Sequence, residues 1–273
     1  MDKPVGELFR SKTFKFYIGP EKTVFTVHGD AVAKRSPALH ALINNNMAEA
    51  NSGTVSWPDV DEDTFIRFCE FCYFEDYSPP NYESPCPATI GKIRYLSVPI
   101  SKKAGHKLDD LLSDNNYPPT DCRKQFAGRF GTTTRYLGMG TDRVLLGHAR
   151  LYVIADKYGV SRLKGLVLYK LYKALNSVVL ISMEIQNIIK LIRFAYNDDN
   201  TRKRVQGIDE LRKLVTRFAV SIVVHIGANA AFLELLQEGG DFVVDFWKVV
   251  WAKRISLLPQ ANSSTPSLFT RPG

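Results

Sequence analysis

The chain has 273 residues, 45% of them hydrophobic and 23% charged, with a formal net charge of +8. That is the composition of an ordinary globular protein of one or two domains with a full core. No run of eighteen apolar residues exists, which argues against a membrane span. The opening MDKPVGELFRSK lacks the apolar centre of a secretory signal, and Cys69, Cys72, Cys86 and Cys122 are too few and scattered for a disulfide scaffold. A reducing compartment, cytoplasm or nucleus, is the expected setting.

Residues 1–13 read as an irregular lead-in. Phe14, Phe16 and Ile18 alternate, so they share one face of a strand. Glu21 and Lys22 turn the chain, and VFTV forms a second strand. Ser36-Pro37 reads as a helix start, with serine as cap and proline in the first turn. Val55-Ser56-Trp57 is a third short strand ended by Pro58. Asp61 caps the next helix, where Phe65, Phe68, Cys69 and Cys72 fall on one face.

After Tyr77 the periodicity stops. Prolines, glycines and Ser/Thr clusters run to about residue 145, with one short strand expected from Ile93 to Ile100. So long a loop is unusual inside a compact domain, and it reads as a largely disordered insertion over 78–145. The helical pattern resumes at Gly147, and Gly159 ends that helix. Ser161 caps the next helix, which buries Leu163, Leu166, Val167, Leu171, Ala174 and Leu175. Residues 182–255 read as all helical, in four segments. Ser182 and Asp241 are the expected caps of the first and last, and one long amphipathic run spans Ile208 to Ile226. Residues 259–273 read as a disordered tail.

Charge is unevenly spread. Residues 1–77 carry 8 Lys/Arg against 12 Asp/Glu, a net of −4, whereas 146–258 carry 17 against 10, a net of +7. An acidic part beside basic helices implies either internal complementarity or two kinds of partner.

The residues Val27, His28, Val32, Ser36 and Leu39, followed by Asp59, Val60, Phe65 and Tyr73, stand in an order that resembles a BTB/POZ domain. The string ARLYVIADKYGVSRLKGLVLYKL is similar to the last two helices of that fold, through Ala149, Tyr152 or Val153, Ala155, Asp156, Lys157, Tyr158, Leu163 and Lys164. The segments RFAYND, IDELRKLVTRFA and FLELLQEGGDFVVDFWKVV resemble the C-terminal half of a large group of fungal BTB proteins. The resemblance implies an α+β fold with a small three-stranded sheet capped by helices. Its domain comprises 14–77 plus 146–176, split by the insertion and followed by a helical extension over 177–258.

The same resemblance implies a non-enzymatic protein-interaction module, a candidate substrate adaptor for a cullin-3-type ubiquitin ligase. Met47-Ala48-Glu49 occupies the place of the hydrophobic-x-Glu triplet found in cullin-3-binding members. Met47 and Glu49 are then the partner-binding anchors, with Phe65, Phe68 and Tyr73 holding that surface in place. A homodimer is also open, although only Val5, Leu8 and Phe9 are available for the hydrophobic N-terminal helix of tightly dimerising members.

Each motif also has a plainer reading. Cys69-x-x-Cys72 lacks the other ligands of a zinc site and reads as buried thiols. His28 has no nucleophile spaced to serve it and reads as structural. Arg202, Lys203 and Arg204, with Arg212, Lys213 and Arg217 nearby, form a basic cluster suited to nuclear import or nucleic acid. That gives the alternative of a nuclear, transcription-associated regulator, but such runs are more often solvated faces. No cofactor, metal or catalytic signature is found.

Overall fold

The computed structural model describes residues 5–45, 48–80, 140–178, 182–201 and 207–256. The architecture is mixed, mostly helical with one small three-stranded sheet. Strand β1 (Thr13–Ile18) lies in the middle. It pairs antiparallel with β2 (Thr23–His28) and parallel with β3 (Thr54–Trp57). Phe14, Phe16 and Ile18 all face inward and are buried, as their alternation requires.

A parallel pair needs a crossover. Here the chain from β2 to β3 passes through three short helices, α2 (Gly29–Ala33), α3 (Pro37–Asn44) and α4 (Ala48–Ser52). The one-turn helix α1 (Val5–Leu8) precedes the sheet, where the sequence reads as irregular. Ser36 caps α3, its hydroxyl accepting from the Leu39 amide at 3.1 Å, with Pro37 in the first turn. Asp61 caps α5 (Glu62–Phe74) in the same way, accepting from the Thr64 amide at 2.9 Å.

Helix α6 spans Thr141–Lys157. It begins six residues before Gly147, where the helical pattern in the sequence resumes. Gly147 lies inside the helix because Pro80 crosses it: a Cβ there would stand 2.8 Å from the proline ring. Residues 78–80 are likewise not loose. Arg67 donates to the Ser78 and Pro79 carbonyls at 3.1 Å each, and Glu70 accepts from the Ser78 amide at 2.7 Å. Of the stretch 78–145 read as an insertion, residues 78–80 and 140–145 are thus part of the ordered structure. Residues 81–139, with the strand expected at Ile93–Ile100, lie outside the described residues, as do 257–273.

Helix α6 ends in a Schellman turn. Gly159 takes a φ of +64°, the Val160 amide donates to the Ala155 carbonyl at 2.8 Å, and the Gly159 amide donates to the Asp156 carbonyl at 3.2 Å. Helix α7 (Ser161–Ser177) follows at once. Ser161 is its first residue rather than its cap, and no side chain caps that end.

The remaining helices are α8 (Ser182–Tyr196), α9 (Glu210–Ser221), α10 (Val223–Ile226), α11 (Ala230–Gln237) and α12 (Gly240–Ser256). The run expected to be one helix from Ile208 to Ile226 is divided at Ile222. Asp209 caps α9 through the Leu211 and Arg212 amides, and Asn229 caps α11. Asp241 lies inside the first turn of α12 rather than before it. None of the described helices is long and apolar enough to cross a membrane.

One hydrophobic cluster contains the sheet, α5, α6, α7 and the later helices. Named contacts seam the early and late parts. The Tyr158 ring stacks on Trp57 with centroids 4.6 Å apart, and Ser36 donates to the Tyr158 carbonyl at 2.6 Å. Arg35 and Arg162 both hold Glu75, at 2.9 and 2.8 Å, at the end of α5 where its φ is +58°. Lys170 donates to the Asp76 carboxylate and the Tyr77 carbonyl, each at 2.5 Å. The Tyr77 hydroxyl lies 2.8 Å from His148 Nδ1.

Candidate interaction surface

Tyr158, stacked on Trp57, lines a concave face of the molecule. Asp59 in the β3–α5 turn and Glu49 on α4 are the charged groups that act on Tyr158. Burial, then the charges of Asp59 and Glu49, push the Tyr158 phenol up to about 12. The hydroxyl therefore stays protonated and sits in a negative field. Glu49 is half-buried. Met47, the other anchor implied by the resemblance, lies outside the described residues.

Beside Tyr158 opens a groove of about 1030 Å³. It is lined by Pro20, by Pro58 to Asp61, by the C-terminal half of α6, and by Phe194 with the Asp199-Asn200 turn. Apolar surface comes from Val60, Val153, Tyr158 and Phe194, all half-buried.

Phe65 and Phe68 are 0% exposed, so neither can touch a partner directly. Phe65 packs on Phe16, Phe25 and Trp57, and Phe68 packs on Trp57. Their place is beneath the surface, where they fix the tryptophan that supports Tyr158. Tyr73 is half-buried at the other end of α5. Its hydroxyl accepts from the His28 amide at 3.0 Å and lies 2.8 Å from His28 Nδ1. His28 thus closes the β2–α2 corner through a side chain on α5. Phe9, Tyr73 and Phe74 surround this corner, and Phe9 and Phe74 are exposed aromatic rings.

The two cysteines are poor nucleophiles. Burial pushes the Cys69 thiol far above its usual range and Cys72 up to about 12. Among the described residues no cluster of three His, Cys, Asp or Glu stands close enough to hold a metal ion.

Of the basic cluster, Arg202, Lys203 and Arg204 lie outside the described residues. Arg212 is buried and is not available to nucleic acid. Its guanidinium bonds the Ala195 carbonyl at 3.2 Å, the Thr201 hydroxyl at 2.7 Å and Asp198 at 2.8 Å, and it covers the Tyr196 ring. It therefore ties the turn after α8 to α9, and that turn supplies Asp199 to the groove. Sequence reading missed this role because a lysine- and arginine-rich stretch looks like a solvated face. It missed the groove because the lining comes from four separated stretches.

No protein-family model matches the chain, and no curated protein matches it.

Proposed function

We propose that the protein is a non-enzymatic interaction module of BTB/POZ type, in which the sheet unit and the helices α6 and α7 form one docking domain. The observation that carries this reading is the seam between the two parts. Residues separated by up to 122 positions, such as Ser36 and Tyr158, meet in direct hydrogen bonds. The buried polar groups along that seam, Asp76, Lys170, Tyr77 and His148, bond one another, which favours a structural use over a catalytic one.

The partner-facing side is the one around Glu49 and Tyr158, with Phe65 and Phe68 holding it from below and Tyr73 bracing the far end of α5. A cullin-3-type ligase is the candidate partner, and the expected compartment is cytoplasmic or nuclear. Calorimetric titration with the N-terminal domain of cullin-3 tests the assignment. Saturable binding that Met47→Ala with Glu49→Lys weakens at least tenfold supports it. Binding unchanged by those substitutions removes the two anchors, and no binding at all removes the ligase adaptor role.

A further inference from the structure

The groove beside Tyr158 has an acidic lining in a chain that is basic overall. Asp59, Asp61, Asp156 and Asp199 line it against only Arg150 and Lys157, in a protein whose net charge is +8. The two cations are already engaged. Arg150 lies 3.6 Å from Asp61, and the Lys157 ammonium lies 5.7 Å from the centre of the Tyr158 ring. Asp156 is held at 2.5 Å by Lys164, which does not line the groove. Asp59 and Asp199 remain, both exposed in the lining and from separate stretches of chain, with no ion pair among the described residues.

We propose that this groove docks a cationic segment of a partner protein, with lysine or arginine side chains on Asp59 and Asp199 and aliphatic carbons on Val60, Val153 and Phe194. Charge complementarity selects the occupant. A negative channel repels phosphate, which disfavours nucleic acid and anionic lipid. The volume is at the upper end of small-molecule pockets, which leaves room for several residues of extended chain. Guanidinium suits the site better than ammonium, because its planar fork can give two parallel hydrogen bonds to one exposed carboxylate.

The inference rests on the interaction-module reading but uses different residues from the cullin test, so the two fail separately. The probe is a fluorescein-labelled peptide of alternating arginine and leucine, titrated with the full chain by fluorescence anisotropy at low salt. A glutamate-leucine peptide is the control. The expected result is saturable binding of the arginine peptide alone, weakened about tenfold by Asp59→Asn with Asp199→Asn and also by added salt. Both carboxylates are exposed, so the double variant should melt where the parent does, and its thermal unfolding is recorded alongside. Lack of saturable binding, equal binding by the double variant, or equal binding of the glutamate peptide would overturn the proposal. If cullin binding survives such a result, only the groove assignment falls.

Discussion

Lowering the pH should loosen the seam at His148. The imidazole projects from α6 and is buried, with Tyr77, Lys170 and Arg67 around it. Burial first, then the positive charges of Lys170 and Arg67, pull its pKa from 6.5 down to about 3. The folded state therefore keeps it neutral where the unfolded chain would take up a proton. This contribution is intact above the unfolded pKa and is lost as pH falls from about 6.5 toward about 3. Between about pH 7.5 and about pH 5 the loss amounts to about 2 kcal/mol, at about 1.4 kcal/mol per pH unit. The carboxyls of Glu75, Asp142 and Glu238 are held below their usual values by Arg35 and Arg162, by Lys190 and by Arg193, so their own losses fall at lower pH. Urea unfolding followed by circular dichroism reads the effect as a midpoint shift of roughly 0.7–1 M. His148→Gln keeps an acceptor for the Tyr77 hydroxyl but cannot be protonated, and it should flatten the slope. A parent protein equally stable at both pH values, or an unchanged slope in His148→Gln, would refute the reasoning.

Two substitutions test the same seam from other sides. Gly147→Ala should destabilise the protein by about 1–3 kcal/mol in a thermal melt, because overlap with the Pro80 ring outweighs the roughly 1 kcal/mol that alanine gains over glycine within a helix. Lys170→Met removes the ammonium that Asp76 and the Tyr77 carbonyl share in the interior and should cost about 3–5 kcal/mol in urea unfolding. Adding Asp76→Asn should recover part of that loss.

The parts of the fold that were legible in the sequence are those set by local rules. The alternation of Phe14, Phe16 and Ile18 gives the buried face of β1, Ser36 and Asp61 announce their helices, and Gly159 closes α6. The parallel pairing of β1 with β3 was not legible, since it depends on how three short helices carry the chain across. Gly147 reads as a helix boundary because the close approach of Pro80, which explains a glycine inside α6, is a tertiary fact. Buried ions such as Lys170, Arg67 and Arg212 are invisible to periodicity, which counts them as solvent-facing. His148 looked like one scattered histidine among five, and its role exists only once Tyr77 meets it. At the candidate surface, Glu49 could be singled out through the resemblance. Asp59 stands out in the sequence only as part of that pattern, and Asp199 lies between helical segments with no motif to mark it.

The central claim is that the sheet unit and the helices after Thr141 form one cooperative domain. Native-state hydrogen exchange tests it most directly, by comparing amides of β1, such as Phe16, with amides of α7, such as Leu171. The account predicts similar opening free energies in both elements, and a matching fall in both when Tyr158→Ala removes the stack on Trp57. Exchange in α7 through a separate, lower-energy opening that leaves β1 protected would contradict it.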